Sequence, residues 1–103
     1  MAVKPRMPSL IVILFVAATP ALAAPDIALG RYLSGECVTC HRGGTATTTV
    51  PNIFGMAAAT MTQVIKAYRD KRLDNAVMQG IAGRLKDDEI EALAAYFEQT
   101  KRP

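Results

Sequence analysis

Cys37-Val38-Thr39-Cys40-His41 is a C-x-x-C-H segment, the spacing of c-type haem attachment. Two thiols three residues apart sit about one helical turn apart on one side of the backbone. Both can therefore add to the two vinyl groups of a single haem. The adjacent His41 then lies under the iron and offers a ring nitrogen as proximal axial ligand. Cys37 and Cys40 are the only cysteines of the 103-residue chain and His41 its only histidine.

Plainer uses of these residues compete with that one. One disulfide with a passive histidine needs nothing more than the two thiols. A thioredoxin-like pair needs a strand before the motif and a βαβ context, and the residues before Cys37 read as helix or turn. A structural zinc site needs four ligands, and beyond Cys37, Cys40 and His41 the chain has no other Cys or His.

Residues 1–23 read as a secretory signal peptide. Lys4 and Arg6 form a basic start, Leu10 to Ala18 is an unbroken apolar run, and Ala21-Leu22-Ala23 is an A-x-A cleavage site. Cleavage after Ala23 leaves one domain over residues 24–103. An uncleaved membrane anchor is the alternative use of the run. Nine apolar residues fall short of the ~20 needed to span a bilayer, and Pro20 interrupts their end, so no stable membrane insertion of the mature chain is expected.

The formal charge of +3 shrinks once Lys4 and Arg6 are removed with the signal. Ten Lys and Arg then face nine Asp and Glu, and two haem propionates bring the loaded protein near neutral. No nucleic-acid partner is expected from such a balance. A domain of this size buries only about 60% of its surface and often needs a staple. A haem bonded to Cys37 and Cys40 serves as one, and the apoprotein is expected to fold poorly.

Three helical stretches and one short helix are expected, with no strand. Asp26 caps the first, which runs to about Gly35 with Leu29, Tyr32 and Leu33 on one face. Gly30 on this helix lets another helix approach closely. Residues 42–55 read as a loop ending in a buried turn, Val50-Pro51-Asn52-Ile53-Phe54-Gly55. The second helix covers about Thr60 to Arg72, with Met61, Val64, Ile65 and Tyr68 at i, i+3, i+4 and i+7 and Lys66, Arg69, Asp70 and Lys71 facing away. A short helix follows at Asn75–Ala82. The last begins near Asp87 and runs to about Lys101, with Ile90, Leu93, Ala94 and Phe97 as its stripe. Asp87, Asp88 and Glu89 at its start and Lys101 and Arg102 at its end suit the helix dipole.

Iron with one histidine ligand leaves a sixth position to fill. Met56, Met61 and Met78 remain after the signal peptide. Met61 lies on an apolar stripe, where core packing is the ordinary use of methionine. Met56 lies in an alanine-rich stretch near the attachment end. Met78, 37 residues beyond His41, is far enough along to return on the other face of the haem. Residue type alone leaves Met78 between core and ligand.

Together these residues resemble the class I c-type cytochromes. The likeness spans residues 26–100: the helix with Gly30 and Leu33, the Cys37–His41 motif, Pro51, Met78, and Leu93-Ala94-Ala95-Tyr96-Phe97. It implies an all-α class I cytochrome c fold, with three main helices, a short helix and loops wrapped around one covalently bound haem c. It also implies Met78 as second axial ligand and a hydrogen bond from His41 to the Pro51 carbonyl that fixes the ring. The first and last helices are expected to cross at Gly30 and Tyr96 or Phe97. Attachment of haem outside the bacterial cytoplasmic membrane, which the family implies, agrees with a periplasmic location.

A more specific likeness lies in Pro51-Asn52-Ile53-Phe54-Gly55, Tyr68-Arg69-Asp70-Lys71-Arg72 and Val77-Met78-Gln79-Gly80-Ile81-Ala82, followed by Asp87 to Leu93. This order is similar to the small cytochrome subunit of flavocytochrome c sulfide dehydrogenase, which takes electrons from a sulfide-oxidising flavoprotein. The chain departs from the general pattern in three places. Arg42 follows His41 where glycine is common. Lys86 stands where Ser or Thr usually caps the last helix, so Asp87 is expected to cap instead. No Trp exists to bond a propionate, which leaves Tyr68, Arg69 and Arg72 as candidates; a solvated basic face is their plainer use.

The expected function is a periplasmic single-electron carrier, not an enzyme, with redox proteins as partners and a flavoprotein dehydrogenase as the specific one. The alternatives are a haem sensor or ligand-binding cytochrome with a labile sixth position, and a fixed subunit with no free life as a shuttle.

Overall fold

A computed structural model of the chain describes residues 2–19, 23–42 and 49–102. Four helices follow in order: α1 (Ile27–Val38), α2 (Ala58–Arg69), α3 (Ala76–Ala82) and α4 (Asp87–Gln99). No strand occurs among the described residues, as the pattern of apolar residues predicts. Residues 2–19 form neither helix nor strand, and no described helix is long and apolar enough to cross a membrane. The proposed cleavage segment at Ala21 and Leu22, and the loop residues 43–48, lie outside the described residues.

Asp26 caps α1 as expected, its carboxylate accepting from Leu29 N–H at 3.0 Å. The helix does not stop at Gly35 but continues through Cys37 to Val38. A glycine inside a helix costs about 1 kcal/mol, and packing of α1 against α4 outweighs that local preference. The contact is close: a Cβ built on Gly30 meets the Ala92 carbonyl oxygen at 2.1 Å and Tyr96 Cβ at 2.8 Å. The crossing of first and last helices thus lies at Gly30 and Tyr96. Phe97, the neighbour of Tyr96, points into the core, where Phe54 and Tyr96 meet its ring edge-on at centroid distances of 5.3 Å.

The α4 stripe is buried as read: Ile90, Leu93, Ala94 and Phe97 are all at most 1% exposed. Ala92, which carries no stripe signal, is buried as well because Gly30 sits on it. On α2 only Met61 of the predicted stripe is fully buried; Val64, Ile65 and Tyr68 are half-buried. Lys66 and Arg69 do not face away entirely, being half-buried too. The turn at 50–55 is shallower than expected, with Pro51, Asn52 and Gly55 exposed and Ile53 and Phe54 half-buried. It is anchored to α4 by Gly55 N–H donating to the Phe97 carbonyl at 2.8 Å, with Gly55 at φ 77° where a side chain is disfavoured.

Helix α2 is displaced toward the N-terminus relative to its predicted range. It starts two residues early because the Glu98 carboxylate of α4 accepts from Ala58 N–H at 2.5 Å, a cap supplied from 40 residues away. It ends early because Lys71 takes φ 58° and Arg72 and Leu73 N–H both turn back to the Ala67 carbonyl. Asp87 does not cap α4. It is the first helical residue, Lys86 holds the cap position, and Glu89 reaches back to Lys86 N–H at 2.9 Å. The Asp87 carboxylate is engaged elsewhere, by Arg69.

Candidate haem-attachment site

The motif is an extension of α1. Cys37 lies in its last turn, and both Cys40 N–H and His41 N–H donate to the Cys37 carbonyl, at 3.2 and 2.9 Å. Thr39 braces the same turn through its hydroxyl, which donates to the Gly35 carbonyl at 3.0 Å. Helical continuation is what places the two sulfurs one turn apart, and it brings His41 out of the end of that turn. Both thiols are free, Cys37 half-buried and Cys40 exposed. Burial, with the neighbouring Glu36 charge second, pushes the Cys37 thiol up to about 11, so it stays protonated at neutral pH. A thioether is neutral too, so attachment through Cys37 buries no charge there.

His41 Nδ1 lies 2.7 Å from the Pro51 carbonyl oxygen. A carbonyl can only accept, so Nδ1 carries a proton, and in the neutral ring Nε2 then keeps its lone pair. That is the tautomer an iron ligand requires, held by a backbone oxygen that itself does not titrate.

Met78 sits half-buried on α3. Its N–H donates to Asn75 Oδ1 at 3.0 Å, so Asn75 caps this short helix, and Gln79 Nε2 donates to the Leu73 carbonyl at 2.9 Å. Met61 is a core residue, 3% exposed and packed with Leu93, Ala94 and Phe97, and Met56 packs against that same cluster.

The three candidate propionate contacts are placed differently from one another. Tyr68 is half-buried. Arg72 is exposed and lies 3.6 Å from the Asp70 carboxylate. Arg69 spends its guanidinium on the protein: it donates to Asp87 Oδ1 at 2.6 Å and to the Leu85 carbonyl at 3.3 Å. That hydrogen bond, followed by the charge of Lys66, holds the Asp87 carboxyl below the usual carboxylate range. Sequence reasoning saw neither this pair nor the Arg84–Glu36 pair at 3.1 Å. Each joins residues far apart in the chain, and only opposite charge in solvent-facing positions signals them beforehand.

These residues fit a covalently held haem. Two free thiols stand three residues apart at the end of α1, His41 Nδ1 is held by the Pro51 carbonyl, and Leu33, Ile53, Ile65 and Leu85 are half-buried on the core cluster that Cys37 also packs against. No cluster of three or more His, Cys, Asp and Glu occurs among the described residues that offers a metal ion a site made of side chains alone.

Comparison with known proteins points the same way. The family described as cytochrome c oxidase, cbb3-type, subunit III, matches residues 25–97. Cytochrome c-554(548) of Halomonas halodenitrificans is 38% identical over 79 residues, covering 72% of this chain and 95% of its own. Cytochrome c6 of Thermostichus vulcanus is 37% identical over 92 residues, covering 81% of this chain and 78% of its own. A protein of Stutzerimonas stutzeri named thiosulfate dehydrogenase electron acceptor is 33% identical over 70 residues, 65% of this chain but only 32% of that longer protein.

Proposed function

Because the chain belongs to the cytochrome c family, we propose that it carries electrons in the periplasm with His41 and Met78 as axial ligands, and that a dehydrogenase of reduced sulfur compounds supplies them. As a member of the family it is an electron carrier with one covalent haem c, and not an enzyme. The bound haem supplies a single-electron iron couple; the chain's own residues hold it, orient it and keep its surroundings from rearranging.

The fixed His41 ring carries the axial-ligand reading. A ring that cannot rotate adds little reorganisation when the charge beyond Nε2 changes by one unit. Met78 is the methionine left for the other side, since Met61 and Met56 are engaged in the α4 core. A thioether favours reduced iron and raises the potential, which suits an electron acceptor. Met78→Ala is expected to abolish the far-red sulfur-to-iron band of the ferric protein and to lower its potential, whereas Met61→Ala leaves the band in place and costs stability, about 2–5 kcal/mol. Survival of the band in Met78→Ala moves the ligand to another methionine. Its absence from the unmodified protein favours the ligand-binding alternative with a labile sixth position.

Export rests on Lys4 and Arg6, the apolar run and Ala21-Leu22-Ala23. The donor reading rests on the likeness to the flavocytochrome subunit and is supported by the relative named as a thiosulfate dehydrogenase electron acceptor. A flavoprotein sulfide dehydrogenase is its specific form. Mixing the purified cytochrome anaerobically with periplasmic flavoproteins of its host and sulfide is expected to reduce the haem faster than sulfide alone. Faster reduction with thiosulfate only, in extract freed of flavoproteins, replaces the flavoprotein by another sulfur dehydrogenase. No acceleration with either leaves the general electron carrier.

A further inference from the structure

Between the end of α2 and the start of α4 the chain leaves, forms α3 and returns. The returning segment, residues 70–86, carries Met78. It is braced inside: Gln79 Nε2 holds the Leu73 carbonyl, Asn75 caps Met78 N–H, and Leu85 N–H closes on the Ala82 carbonyl at 3.1 Å. Ala82 is fully buried at its centre. Such internal bracing favours opening of the segment as a unit rather than residue by residue.

Those ends are joined by one side chain. Arg69, the last residue of α2, donates to Asp87, the first of α4, at 2.6 Å and to the Leu85 carbonyl just before it at 3.3 Å. Its side chain is only 26% exposed, although that of Asp87 is 65% exposed, so solvent competes less for the guanidinium than for that of an ordinary surface arginine. Arg69 Nε also lies 3.7 Å from the Asp70 carboxylate, and the tie from Arg84 to Glu36 beside Cys37 joins two side chains that are each 63% exposed, which makes it weaker than a pair with one half-buried partner. We propose that Arg69 and Asp87 form a clasp at the neck of the 70–86 segment, and that this clasp positions Met78 for the sixth coordination place. Arg69 is thereby a positioning residue rather than a propionate contact. The proposal rests on the reading of Met78 as axial ligand.

Opening the segment lifts α3 from α2, against which it packs, and breaks both hydrogen bonds of the Arg69 guanidinium, to Asp87 and to the Leu85 carbonyl. Losing the clasp therefore raises the open population about three- to tenfold. The test uses the exported, haem-loaded protein with Asp87→Asn and Arg69→Met. Asp88→Asn serves as control, because it removes an equal charge from the same helix end and leaves the clasp in place. Asp87→Glu is the conservative rescue. The first readout is amide hydrogen exchange in residues 70–86 against that in α1. The second is the affinity of ferric protein for imidazole, which enters only when the sixth position opens.

Asp87→Asn and Arg69→Met are expected to exchange about three- to tenfold faster in residues 70–86 and to bind imidazole more tightly by a similar factor. Asp88→Asn and Asp87→Glu stay near the unmodified protein. Equal exchange in Asp87→Asn and Asp88→Asn overturns the clasp. Faster exchange with unchanged imidazole affinity overturns its role in positioning the ligand. If the unmodified ferric protein lacks the sulfur–iron band, the Met78 reading fails by itself, and the exchange comparison still decides the clasp.

Discussion

Replacing both Cys37 and Cys40 by serine is expected to leave a chain with no covalent haem and less than half of its helical circular dichroism at 222 nm. The reason lies in how little the protein buries unaided. Among the described residues the buried apolar side chains larger than alanine are Phe97, Ile90, Leu93 and Met61. Four of the other buried apolar positions are alanines, Ala67, Ala82, Ala92 and Ala94. Burying one large apolar side chain contributes about 1.5–3 kcal/mol, and ordering each residue costs about 1–2 kcal/mol in backbone entropy. A core of this size does not carry four helices. Leu33, Ile53, Ile65 and Leu85 pack on the core but stay half-buried, and a macrocycle tethered at Cys37 and Cys40 is expected to cover more of their apolar surface. The check is acid-acetone extraction followed by thermal melting. Haem that extracts fully from the unmodified protein, or a cooperative melt in the doubly substituted chain, sinks this account.

Gly30→Val is expected to be the most damaging single substitution away from the motif. Even the first carbon of a side chain there falls 2.1 Å from the Ala92 carbonyl oxygen and 2.7 Å from its carbon. Both are backbone atoms of a buried helix and cannot swing aside, so α1 must lift from α4. Overpacking costs typically 1–3 kcal/mol and more where backbone must move; about 3 kcal/mol or more is expected here, a large share of the stability of so small a domain. Lifting α1 also carries Cys37 and Cys40 away, so haem attachment should fall along with the denaturation midpoint. Gly35→Ala is the comparison, since nothing lies within 4 Å of a Cβ there and alanine favours the helix. A Gly30→Val protein with the midpoint of Gly35→Ala removes the close crossing from the argument.

What the chain by itself determined is what local chemistry dictates. Cys37, Cys40 and His41 announce the cofactor because their spacing is that of c-type haem attachment. The stripe Ile90, Leu93, Ala94 and Phe97 announces a buried helix face because apolar residues at 3.6-residue period have only one face to share, and all four are buried. Gly30 announces a close approach, although not the atom approached. Asp26 and Asn75 announce helix starts through side chains that reach only their own backbone.

The tertiary structure decided whatever depends on a partner remote in the chain. Helix α1 runs through Gly35 because α4 holds it. Helix α2 starts at Ala58 because Glu98 comes to its end. Arg69, whose sequence context offers it equally to solvent or to a propionate, is claimed by Asp87 and the Leu85 carbonyl. Asp87 consequently does not cap α4, and Lys86 holds that position. Periodicity and capping act over one to four residues, whereas these contacts span 16 to 40, and a linear pattern carries no term for them. The physical reason is that a charged or hydrogen-bonding side chain is satisfied by whichever opposite group folding brings within about 3 Å, and only the packed helices select which one that is.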